Sequence, residues 1–160
     1  MKQYKIGYTQ GTYDLFHIGH LNLLNNAKAK CDYLIVGINS DDLVEEYKNK
    51  KTTINQFDRA AIVASIKCVD RVVITNTLDK KAIYDDLHFD AIFIGSDWKG
   101  DQRWNETEKQ MADLGVSVVY LPHTDGISTT LINQKIQKKY EIMLDQRQAS
   151  NTPESINEKK

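Results

Sequence analysis

Proline is nearly missing from this chain, with two in 160 residues, and cysteine is equally rare. Cys31 and Cys68 lie far apart without a C-x-x-C pattern, so neither a disulfide framework nor a zinc site is expected. Both read as small buried thiols in a reducing compartment. No apolar run approaches the ~18 residues of a membrane-spanning helix, and Met1–Lys5 do not open a secretory signal. A cytoplasmic protein is the expectation. Neither sign of charge dominates: 21 Lys and Arg stand against 22 Asp and Glu, a net charge of −1. No global field therefore draws nucleic acid or an anionic membrane, and any anion site must be local. There is no repeat at a fixed period.

What is present is the material of one globular domain. Hydrophobic residues make up 41% and charged residues 27%, enough for a full core at this length. Five short runs rich in Val, Ile and Tyr read as strands: 4–9, 32–40, 71–75, 90–96 and 116–122. Helix-compatible segments fall at roughly 19–31, 57–68, 79–88, 103–114 and 128–142. Several strand runs are continuously apolar, as when helices cover both faces of a parallel sheet. The alternation predicts an α/β, Rossmann-like doubly wound five-stranded parallel sheet in a single domain over 1–142. From 143 to 160 apolar periodicity is lost and Pro153 appears, which predicts a disordered polar tail.

Ligands of such sheets sit beyond the carboxyl ends of the strands, and the segment GTYDLFHIGH (11–20) follows the first strand. Gly11 and Gly19 leave no Cβ between backbone and ligand. A helix beginning near His20 turns its free amides and positive dipole end toward the strand tip, where phosphate binds. His17 and His20, three apart, share one side of that first turn. Either histidine alone reads as a turn cap; the pair after a strand points to a polyphosphate. At the far end GISTT has related logic: Gly126 permits a tight turn, and Ser128, Thr129 or Thr130 can cap the last helix and cradle an anion.

GTYDLFHIGH resembles the G-T-F-D-x-x-H-x-G-H signature of the cytidylyltransferase family, within the HIGH-type nucleotidyltransferases. NSDDLVEEYKNKK (39–51), GSDWKG (95–100) and HTDGISTT (123–130) resemble three further family segments, in order, so that the likeness spans about residues 4–138. The small bacterial glycerol-phosphate cytidylyltransferases are similar in particular. The resemblance implies transfer of CMP from CTP to an alcohol phosphate, with Mg²⁺ on the triphosphate and a homodimer as the working assembly. His17, His20, Lys48, Lys50, Ser128 and Thr129 are the implied catalytic residues. Thr12, Tyr13, Gly19, Asp97, His123, Thr124, Asp125, Gly126, Ile127 and Thr130 join them around the nucleotide. Asp14, Lys48, Lys67 and Lys80 are implied for the acceptor, Lys80 being preferred over Lys81. Trp98 follows Asp97, where relatives recognise the base, and Arg59 matches an arginine associated with the dimer interface and site architecture.

Two positions depart from the family. His123 and Lys67 stand where arginines are usual, and neither replacement offers the planar fork that grips phosphate from two sides. An adenylyltransferase acting on a sugar phosphate such as heptose 1-phosphate is the alternative, because D-G-x-S-T-T also occurs there. A nucleotide sensor on the same fold is a further one; intact H-x-G-H, paired lysines and GISTT count against it. A synthetase-like module lacks a basic surface here.

Overall fold

The computed structural model describes residues 1–151. They form two compact units, Met1–Ile127 and one beginning at Ser128. In the first unit five parallel strands, β1 (Tyr4–Gly11), β2 (Cys31–Asn39), β3 (Arg71–Thr75), β4 (Ala91–Gly95) and β5 (Ser117–Leu121), lie in the order β3-β2-β1-β4-β5. The doubly wound parallel sheet expected from the sequence is the one observed. Six helices alternate with the strands: α1 (Ile18–Lys30), α2 (Asp41–Lys48), α3 (Gln56–Ala64), α4 (Lys80–Leu87), α5 (Gln102–Asp113) and α6 (Thr129–Ser150), with a 3₁₀ turn at Ser96–Trp98.

The order of winding places the site. From β1 the chain steps outward to β2 and β3, then returns to pair β4 with the other edge of β1 through Gly7↔Ala91 and Tyr8↔Ile92. Strand order therefore reverses between β1 and β4, and the crevice opens beyond their carboxyl ends. One face of the sheet buries Leu34, Val36, Ile38 and Phe93 with Leu24 and Ala27 of α1 and Val63 of α3. The other buries Tyr8, Ile35 and Ile92 with Ile83 of α4 and Trp104 and Met111 of α5. A sheet covered on both sides explains the continuous apolar runs. At Gly7 the covering is so close that a Cβ would fall 2.3 Å from Phe93 Cε2 and 2.7 Å from Cys31 Sγ. Both cysteines are free, Cys31 buried and Cys68 partly so.

Two elements differ from the sequence reading. Residues 41–48, outside the helix-compatible segments, form α2: the Ser40 side chain accepts from the Leu43 amide, and Asp41 and Asp42 occupy the first turn, where acid suits the helix dipole. The last helix, in the second unit, runs to Ser150 rather than 142, capped at its start by the Ser128 hydroxyl. The expected polar tail thus begins inside a helix, and residues 152–160 lie outside the described residues. No helix among the described residues is long and apolar enough to cross a membrane.

Candidate active site

Between β1 and α1 the backbone twists through two left-handed residues, Tyr13 (φ 54°) and Leu15 (φ 48°), and delivers His17 to the N-cap of α1. The Nδ1 of His17 accepts from the Gly19 amide at 3.1 Å, and the Nδ1 of His20 accepts from the His17 amide at 3.3 Å. This is a capping box built from two imidazoles instead of Ser and Glu. The rings stack with centroids 3.8 Å apart. An Nδ1 that accepts is unprotonated, so each neutral ring carries its proton on Nε2. Burial, then the neighbouring His17, pushes the His20 pKa down to about 4, and burial lowers that of His17. At neutral pH the pair is two uncharged N–H donors beside a helix N-terminus.

Gly19 is required by this arrangement. A Cβ there would lie 2.9 Å from Cε1 and 3.0 Å from Nδ1 of the His17 ring, and 3.3 Å from Ile127 Cγ2. The chain leaving β5 runs alongside: Asn22 of α1 donates to Thr124 Oγ1 at 3.1 Å, and Gly126 turns with φ 77°. His123 lies 3.9 Å from Asp97, both half exposed, and Asp125 is exposed. Tyr13 is buried and packs its ring 5.2 Å from that of His20. It supports the histidine from beneath. Ser128, Thr129 and Thr130 open α6 in the second unit.

The loops around the crevice are tied by Arg59, which is 0% exposed. Its guanidinium donates to the carbonyls of Ile54 (2.8 Å), Thr12 (2.5 Å) and Asn39 (2.9 Å) and pairs with Asp41 at 2.6 Å. One side chain thereby joins the ends of β1 and β2, the start of α2 and the loop before α3. Asp14 works from the other side: its carboxylate accepts from the amides of Thr53 and Ile54 at 2.7 and 2.9 Å. Asp14 thus fastens the loop that carries Lys50, which is itself exposed.

A cavity of about 220 Å³ opens at the ends of β1, β2 and β4, its walls including Thr12, Tyr47, Lys48, Lys80, Arg103 and Trp104. No acidic residue lines it. Lys48 Nζ donates to Thr12 Oγ1 at 3.3 Å. The floor is ordered from within: Tyr8 donates to Gln10, Gln10 to Asn39 (2.7 Å), and Asn39 to the Tyr47 hydroxyl (3.0 Å). Lys80 is buried at the start of α4, whereas Lys81 is half-buried and pairs with Asp85. Trp98, 41% exposed, also lines the cavity. Lys67 is apart from all of these. It follows α3 and precedes β3, at the edge where strands begin, and does not line the cavity. Gln10, Asn39, Tyr47, Arg103 and Trp104 were not singled out from the sequence. Only the strand-end positions of Gln10 and Asn39 could have flagged any of them.

The profile of the cytidylyltransferase-like family matches residues 8–135. Glycerol-3-phosphate cytidylyltransferase of Bacillus spizizenii is 39% identical over 127 residues, 79% of this chain and 92% of that one. The Staphylococcus aureus enzyme of the same name is 35% identical over 134 residues, covering 82% and 94%. The bifunctional protein HldE of a Nitratiruptor species is 35% identical over 134 residues, but these are 28% of its length. Among solved structures, a lipopolysaccharide core biosynthesis protein from Thermoplasma volcanium shares the fold with a TM-score of 0.64 at 24% identity, covering 76% of this chain and 97% of that one. With the H-x-G-H pair at the helix cap and the family profile spanning most of the sheet, the chain belongs to the cytidylyltransferase-like family.

Proposed function

We propose that the protein transfers CMP from CTP to the phosphate of glycerol phosphate, giving CDP-glycerol and pyrophosphate. The observation that carries this reading is the stacked His17–His20 pair, two neutral donors fixed at a helix N-terminus where the sheet reverses. The glycerol-3-phosphate cytidylyltransferases at 35–39% identity support the choice of donor and acceptor.

An oxygen of the acceptor phosphate attacks the α-phosphorus in line. The bond to the bridging oxygen breaks, and pyrophosphate leaves with its electron pair. Little covalent work falls to the protein, so catalysis is positioning and charge stabilisation. The Nε2–H groups of His17 and His20 donate to the α-phosphate and bridging oxygens, where charge grows. Lys48 and Lys80 hold the acceptor phosphate in the cavity. Lys50 takes the outer phosphates, and for Ser128, Thr129 and Thr130, which open the second unit, the family resemblance supports an anion-cradling role. His123, Thr124 and Asp97 lie toward the nucleoside. Asp14 acts through the loop it fastens, and Lys67 has no part in this scheme.

Mg²⁺ belongs to the proposal as the triphosphate's own counter-ion, shielding its charge. Reaction in the cytoplasm and assembly as a homodimer complete the reading. Phe57 and Ile62 of α3 and Ile18 of α1 are 69, 40 and 54% exposed, apolar surface that an interface through those helices would cover.

Two titrations test the reading. Calorimetry should find CTP bound more tightly than ATP. A pyrophosphate-release screen with glycerol phosphates, ribitol phosphate, phosphocholine and heptose phosphates should favour glycerol phosphate. Tighter ATP binding with turnover on a heptose phosphate would contradict it.

A further inference from the structure

The cavity wall formed by α4 and α5 holds more positive and donor character than the protein itself satisfies. Lys80 is 7% exposed, and its Nζ donates to the Leu78 carbonyl at 3.0 Å. Trp104, 6% exposed, lies beside it with Lys80 Nζ 5.7 Å from the ring centroid. Its indole N–H is the buried side-chain donor that lacks a partner among the described residues. A buried donor without a partner is unfavourable, so a ligand that accepts from it removes that cost. Arg103, one residue earlier on α5, lines the same cavity, with its guanidinium 5.4 Å from the Trp98 ring centroid.

We infer that Arg103 and Trp104 are acceptor-recognising residues: with Lys80 they enclose the dianionic phosphate of the acceptor, Arg103 as a second cation and Trp104 as a neutral donor from the wall. This rests on the proposed function and extends it to residues of α5. A phosphate fits this wall, because Lys48, Lys80 and Arg103 line the cavity and, among the described residues, no carboxylate does. A neutral polyol would leave Lys80 and Arg103 with little beyond Asp79 to offset them. Consistent with that crowding, burial first and Arg103 next push the Lys80 pKa down to about 8. A bound dianion reverses the second effect and keeps Lys80 charged. Arg103 stacked on Trp98 is preorganised, so little side-chain freedom is lost when phosphate arrives.

The test compares wild type, Arg103→Gln, Arg103→Lys and Trp104→Phe. With CTP and glycerol 3-phosphate, Arg103→Gln should raise the acceptor KM at least tenfold. Trp104→Phe, which keeps the ring and loses the N–H, should raise it about threefold to tenfold, as loss of one hydrogen bond predicts. The KM for CTP should stay within twofold in both, and Arg103→Lys should recover part of the loss. Thermal unfolding within about 2 °C of wild type shows that the fold is not the cause. If the acceptor KM stays within twofold in both variants, the inference is overturned. Should wild type release no pyrophosphate with glycerol 3-phosphate, the proposed function fails instead. Inorganic phosphate is then titrated into each protein saturated with CTP without divalent cation. Weaker phosphate binding by Arg103→Gln still supports the anion pocket, and equal binding rejects it.

Discussion

His17 and His20 are each other's tautomer lock: the His17 amide donates to Nδ1 of His20, while Nδ1 of His17 accepts from the Gly19 amide. The cap that begins α1 is therefore also what keeps the proton of each ring on Nε2. Loss of one such donor to transition-state charge costs ~2.7–4 kcal/mol, or ~10²–10³ in rate. His17→Asn keeps a good N-cap residue and removes the donor. It should retain near-wild-type stability and CTP affinity while kcat falls by that factor, and His20→Ala should lose kcat similarly. Steady-state kinetics beside a CTP titration checks both; near-wild-type turnover in either would remove the histidines from the chemistry.

Gly19→Ala tests the lock without touching either imidazole. The new methyl would sit 2.9 Å from Cε1 of His17, closer than side chains pack, so the ring must rotate off its cap. We expect kcat to fall at least tenfold with helix content unchanged by circular dichroism. Full activity would show that the ring position is not critical.

Stability should respond to acid through His20. Its folded pKa is about 4, below the ~6.5 of an unfolded histidine. The unfolded chain therefore binds more protons, and stability falls as pH drops from about 6.5 to about 4. Above that window the contribution is fully present. His20→Gln keeps an N3 residue suited to a capping box and no longer titrates, so its urea midpoint should fall less than that of wild type between pH 7 and pH 4.5. Parallel losses in the two proteins would mean that His20 is not held neutral by the fold.

Arg59 carries the loops. Its removal leaves three backbone carbonyls without their donor and takes one partner from Asp41, whose side chain is 39% exposed; a buried acceptor left unmet costs about 1–3 kcal/mol. Arg59→Met should lower stability by that order and reduce activity. Arg59→Lys should rescue little, since an ammonium cannot span the same four acceptors. Because the side chain is 0% exposed, sedimentation should show no direct effect on self-association. A variant with wild-type stability but weakened association would place Arg59 at an interface instead.

The parts legible in the sequence were those written in local pattern. Five apolar runs gave five strands, and H-x-G-H after the first of them gave the helix cap at the switch point. The α2 helix lies outside the helix-compatible segments although Ser40, Asp41 and Asp42 spell a helix start, because eight residues are too few to show an apolar period. Asp14 looked like a ligand to the acceptor; its oxygens accept from amides 39 and 40 residues away, a contact no spacing rule reveals. The same holds for Arg59, whose four acceptors come from separate segments. Lys67, implied for the acceptor by resemblance, stands between α3 and β3, where strands begin, and only the winding of the sheet shows that placement.

Two neutral histidines on a doubly wound sheet serve CMP transfer from CTP to glycerol phosphate. Product analysis after incubating the protein with Mg²⁺, glycerol 3-phosphate and either CTP or ATP checks this. CDP-glycerol and pyrophosphate are expected in equal amounts from CTP, with little product from ATP. No CDP-glycerol from CTP, or faster turnover with ATP, would contradict it.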